Sequence, residues 1–413
     1  MDAFVKAITS NNTTEVSELL ARDPQLKSRI NDPVGPFDSP AIIHVRSREM
    51  LDLLLNAGAD INSRSKWWAG SFGLLDTINP DLAAYAVERG AIVDVHSAAR
   101  LGMIDKLKEL IAEDPGRVRS RGGDGQTPLH FASTIEIAEY LLSEGADINA
   151  RDVDHESTPA QYMLEDRQDI ARYLVSRGCA TDILMATALG DEQLVRQHLD
   201  QNPECVNTRV SEEFFPMVGG KGGGTIYQWT LGWHVSAHQV AKKFRHEEIF
   251  NLLMERSPLP LKLITACWLG DEPLVNRLPS GGAEFSVLEQ RQVAHAARNN
   301  ETKSLRLMLS LGLPVTVRGQ HNATPLHWAA WHGNVEMLRE ILRRNPPLED
   351  NQNDFNGTPL RWAIHGSANG WYRDKGDYAS TVTELLKAGA TPPGKVDDGS
   401  DAVQRALETY RKA

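Results

Sequence analysis

Cysteine is scarce in this chain. Cys179, Cys205 and Cys267 are odd in number and far apart, which excludes a paired disulfide framework and the close spacing of a zinc or redox motif. Their expected role is as small core residues in a reducing cytoplasm. Also missing is any concentration of Lys and Arg. The formal net charge of −11 argues against nucleic acid or an acidic membrane surface as the main partner. No apolar run approaches the roughly 18 residues of a membrane span. The opening segment carries Asp2, Lys6, Glu15 and Glu18 in an amphipathic pattern, so it does not read as a secretory signal. The glycine run 219–224 around Lys221 lacks Ser or Thr after the lysine, so it does not read as a phosphate loop, and no nucleophile elbow occurs. No cofactor, no catalytic residue and no metal ligand is expected.

What is present is a period. The segment 53–62, LLLNAGADIN, is nearly repeated at 140–149 as YLLSEGADIN. The closing glycines Gly58 and Gly90 are 32 positions apart, and Gly145 and Gly178 are 33 apart. A fixed spacing of this size marks a solenoid, whose units cannot bury their apolar faces alone. The clearest unit is 323–342, ATPLHWAAWHGNVEMLREIL. Thr324 can cap a helix whose first residue is Pro325, where a missing N–H costs nothing. Gly333 breaks that helix, and Val335, Leu338, Ile341 and Leu342 form an apolar stripe on the next one. Related openings stand at Thr127-Pro128-Leu129-His130, Thr158-Pro159 and Thr358-Pro359. The opening at 127–136 lacks two or three residues, which predicts a truncated first helix. These motifs resemble the ankyrin-repeat family, with irregular units of bacterial type. The resemblance implies an all-α solenoid of about twelve helix-turn-helix units and a habit of binding proteins, and it makes His130 and His327 structural.

Two segments break the period. The aromatic arms and glycine-rich tip of 208–235 predict one inserted β-hairpin, which would be an addition that the repeats can lose. A second insertion lies at 367–378. The expected organisation is therefore N-terminal repeats 1–207, the hairpin 208–235, C-terminal repeats 236–395 and a capping helix in 396–413. Helices at residues 2–20 and 402–410 should close the two ends.

Seven of the nine tryptophans fall after residue 228. Trp328 takes a core position in its unit, as does Trp362. Trp331 and His332 follow an Ala-Ala pair, a position that faces the concave groove in the family. Trp268, Arg298 and His365 are their equivalents in neighbouring units, and Trp371, Tyr372 and Arg373 lie in the second insertion. Together with Trp229 and Trp233 they form the expected binding set. Rigid aromatics give contact area at low entropic cost, which suits an unidentified protein partner. The alternative is a small molecule or sugar, possibly with catalysis, in a Trp- and His-lined pocket between the hairpin and the C-terminal repeats. His332, His365, Asp374 and Asp377 would be its acid–base candidates.

Overall fold

The computed structural model describes residues 2–33, 35–220, 222–279, 283–394 and 398–412. The expected junction at 395/396 and Lys221 lie outside the described residues. The chain forms two compact units. One is Met1–His198 with Thr208–Val235, and the other is Leu199–Asn207 with Ser236–Ala413. No helix among the described residues is long and apolar enough to cross a membrane.

Within the first unit, helix pairs follow one another with the predicted punctuation. Asp94 caps Val95–Arg100 by accepting the Ser97 N–H at 2.8 Å. Gly102, at φ +75°, turns the chain into Ile104–Glu113, which buries Leu107 and Ile111. Each such side chain contributes roughly 1.5–3 kcal/mol by leaving water. Units are tied together by the asparagine that ends the closing motif. Asn62 donates to the Gly90 carbonyl at 3.1 Å and accepts the Ile92 N–H at 2.8 Å, so one residue satisfies the next turn. At Thr127-Pro128 the first helix shrinks to the 3-10 turn Pro128–Phe131, in keeping with the missing residues.

The second unit repeats the scheme, with first helices that include Leu259–Trp268, Pro325–Trp331 and Pro359–Asn369. His327 explains the Thr-Pro-Leu-His motif. Its Nδ1 accepts the Thr324 N–H at 3.3 Å, and its Nε2 donates to the Gly357 carbonyl of the following turn at 3.1 Å. Burial holds its pKa below the usual imidazole value. A continuous core runs from Ile264 to Leu407, and Asp401–Lys412 closes it by burying Val403 and Leu407.

The inserted β-hairpin is not found. No β-strand occurs among the described residues. The ends of the segment pair once, through Val210 N–H to Val235 O and His234 N–H to Val210 O, both 2.9 Å. Beyond that point the backbone donors find partners on a repeat turn instead of on an opposite arm. Glu156 takes the Val218 and Gly219 N–H groups at 2.8 and 2.6 Å, Asp154 takes that of Gly223, and Ser157 takes that of Ile226. Residues 227–230 then form the short helix Tyr227–Thr230. Tyr227 is fully buried, so the segment is a strap built into its unit.

Candidate functional site

The second unit gathers its aromatics around the junction of two first helices and the second insertion. Pro325–Trp331 and Pro359–Asn369 approach closely because Gly366 has no side chain: a Cβ there would stand 2.7 Å from the Trp331 carbonyl oxygen. Trp328 is buried and meets Trp362 edge-on, with ring centres 5.3 Å apart. The insertion then folds back over this pair. Trp371 stacks on Trp328 at 6.1 Å and meets Trp331 edge-on at 6.1 Å, while 60% of its surface remains exposed. Tyr378 anchors the returning chain by donating to the Trp331 carbonyl at 2.8 Å.

Between these rings lies a pocket of about 660 Å³. Trp328, Trp331, Trp362 and Trp371 wall it, with Phe355 and His321 at one side and Arg361, His365 and Asp398 also lining it. His365 is exposed and pairs through Nδ1 with the Asp398 carboxylate, which also accepts the Gly399 N–H at 2.7 Å. Burial works to raise the Asp398 pKa, but these hydrogen bonds outweigh it and hold the carboxyl below its ordinary value. A carboxylate that fixes one imidazole nitrogen leaves the other to act as acceptor or base.

A second cation, Arg298, lies beside the pocket. Its guanidinium lies 5.0 Å over the Trp371 ring and 6.0 Å from that of Trp328, and Nε donates to Gln320 at 2.9 Å. Burial lowers its pKa to about 10. His332 is buried beneath. It donates from Nε2 to the Arg298 carbonyl at 2.9 Å and meets Tyr372 edge-on at 5.0 Å. Burial lowers its pKa to about 4, so it is neutral at pH 7.

The structure thus brings Arg298, Trp331, His332, His365, Trp371 and Tyr372 together. Arg373 is exposed beside Tyr372, 3.9 Å from Asp374. Trp268 is placed otherwise: it is buried, and its indole N–H donates to Gln292 at 3.1 Å. Trp229, exposed, and Trp233, half-buried, belong to the first unit. Asp398, Phe355 and Arg361 were not among the residues picked out by the repeat pattern. Asp398 lies beyond the last repeat, where a period carries no signal.

The stacked helix pairs and the Thr-Pro-Leu-His network agree with comparison to known proteins. A family model described as "Ankyrin repeats (3 copies)" matches residues 95–185 and 263–351. The chain is an ankyrin-repeat protein. Ankyrin repeats are protein-interaction modules. Curated relatives are similar over short stretches. Ankyrin repeat and SAM domain-containing protein 6 of Rattus norvegicus is 30% identical over 118 residues, covering 25% of this chain and 13% of that protein. Palmitoyltransferase ZDHHC17 of Danio rerio is 29% identical over 87 residues, 21% of this chain and 12% of that protein. Serine/threonine-protein kinase VIK of Arabidopsis thaliana is 39% identical over 69 residues, 14% and 16% respectively. The match spans about an eighth of the rat relative's length, within a repeat region that proteins of very different kinds share. The ankyrin repeats account for the scaffold here; the pocket is built by this chain's own tryptophans and by the insertion at 367–378.

Proposed function

We propose that this ankyrin-repeat protein binds a partner protein through the second unit, taking one partner side chain into the aromatic pocket. The observation that carries the reading is Trp371, a large ring left 60% exposed at the mouth of a pocket walled by three further indoles. Tryptophan is enriched among the few residues that dominate interface energies. Exposed Arg361 and Arg373 stand where they meet polar or acidic groups flanking the anchor. The partner side chain that suits such walls is apolar or aromatic.

The test is capture of a partner by the intact chain. Trp331→Ala and Trp371→Ala should weaken capture at least tenfold, and His365→Ala less. Undiminished capture by the Trp371 variant contradicts the reading.

A second reading rests on the pocket's volume, which falls in the usual range of about 300–1,000 Å³ for small-ligand sites. Flat indoles suit a sugar ring, and the His365–Asp398 pair supplies an oriented imidazole. Saturable binding of a free sugar that depends on Trp371, without protein capture, would favour it. Turnover that His365→Ala abolishes while binding persists would make the site catalytic.

A further inference from the structure

In the first unit, two successive repeat turns and the glycine strap meet at one point. Asp124 stands at the tip of the first turn in left-handed backbone, φ +53°. Its carbonyl accepts the Val153 and Asp154 N–H groups of the next turn at 2.8 and 3.1 Å. That stacking brings Asp154 and His155 beside the Asp124 carboxylate. One donor atom from each of the three side chains lies within 4.8 Å of the others. Asp154 and His155 are buried, 7% and 8% exposed, and Asp124 is half-buried.

Each of the three has one polar atom held by the protein and one left over. Asp124 Oδ1 accepts the Trp67 indole N–H at 3.0 Å. Asp154 Oδ1 accepts the Gly223 N–H at 3.0 Å. His155 Nδ1 donates to the Gly224 carbonyl at 2.7 Å, so the lone pair of the neutral ring is on Nε2. That nitrogen is 3.6 Å from Asp154 Oδ2, too far for a hydrogen bond, and has no other partner among the described residues. Nearby Asp152 is otherwise engaged: its oxygens accept the His155 and Ser157 N–H groups, both at 2.7 Å. Two carboxylate oxygens and an imidazole lone pair therefore converge, and among the described residues no Lys or Arg forms an ion pair with them. Outer partners that orient each donor are the usual companions of a metal ligand.

We propose that Asp124, Asp154 and His155 bind a first-row divalent cation such as Zn²⁺ or Co²⁺. One nitrogen and two oxygen donors suit these ions, whereas Mg²⁺ and Ca²⁺ prefer oxygen alone. Bonds of about 2.0–2.2 Å require the three donors to draw in by about an ångström. Three protein ligands leave further coordination positions for water. The ion would also secure the strap, since Gly223 and Gly224 are hydrogen-bonded to two of its ligands. Close approach is possible because Gly223 has no side chain; a Cβ there would be 2.8 Å from the His155 ring.

The test is titration of the chelator-stripped, full-length protein with Co²⁺. One equivalent should bind, with visible ligand-field absorption but no near-ultraviolet thiolate band, since the three cysteines take no part. Binding should raise the thermal midpoint, because an ion held only by the folded state stabilises it. Asp124→Asn, which retains the acceptor for Trp67, and His155→Gln should each weaken binding at least tenfold. Absence of saturable binding overturns the proposal. So does wild-type affinity in the folded Asp124→Asn variant, which would place the ion elsewhere, or a His155 ring found doubly protonated at pH 7.5 in the presence of excess metal.

Discussion

Tyr227 donates its hydroxyl to the carboxylate of Asp182 at 2.8 Å, and that carboxylate also caps the helix Ile183–Ala188 through the Met185 N–H. A residue from outside the repeat period therefore supports the start of a repeat helix. Burial raises the Asp182 pKa, and the hydrogen bond is partly shielded from water, with Tyr227 itself fully enclosed.

The strap should accordingly be indispensable to the first unit. Tyr227→Phe, which leaves a part-buried acceptor without its partner, should cost about 1–3 kcal/mol. Tyr227→Ala should cost about 3–5 kcal/mol, the range for emptying an aromatic core site. Replacing residues 212–233 by a Gly-Ser loop should lower the urea midpoint by more than either substitution. A replacement protein with wild-type stability would show that the strap is dispensable.

Two tryptophans in face-to-face contact should differ in what they hold together. Trp328→Ala should destabilise the second unit by about 3–5 kcal/mol, because the ring is buried. Trp371→Ala should change stability by no more than about 1 kcal/mol, as expected where most of the ring already meets water. Equal losses in urea denaturation would mean that Trp371 is core.

The first helices, their caps and the closing turns were legible in the sequence because each depends on local chemistry: Thr before Pro, and Gly where φ is positive. The core roles of Trp328 and Trp362 followed from repeat position alone. His332 shows where that logic ends. Its position faces the groove in a regular unit, but here Tyr372 from the insertion packs against it and its Nε2 turns to the Arg298 carbonyl. The strap departs from the expected hairpin for a related reason. Its aromatic and glycine content suits a hairpin, yet the acceptors that decided its shape, Asp154, Glu156 and Ser157, lie some 60–70 residues earlier. Non-local partners of this kind leave no period in the chain.

His332 also predicts a pH dependence. Its folded pKa is lowered from 6.5 to about 4 by burial, so the unfolded chain binds the proton first as pH falls. Stability from this group is complete above about pH 6.5 and is lost toward pH 4, at up to about 1.4 kcal/mol per pH unit. Urea midpoints of the second unit should fall between pH 7 and pH 5. His332→Gln should flatten the slope, whatever its effect at pH 7. An unchanged slope would mean that the buried ring is not the titrating group.

If the aromatic pocket of the second unit is where a partner protein is held, a probe at its rim should reach that protein. The most direct measurement is photo-cross-linking from Arg361→benzoylphenylalanine at the rim, in the full chain, with and without Trp371→Ala. A discrete protein adduct is expected from position 361, lost when Trp371 is removed while the protein stays folded. An adduct that persists without Trp371, or no adduct from 361 while a probe on the Ile104–Glu113 helix captures the partner, would contradict it.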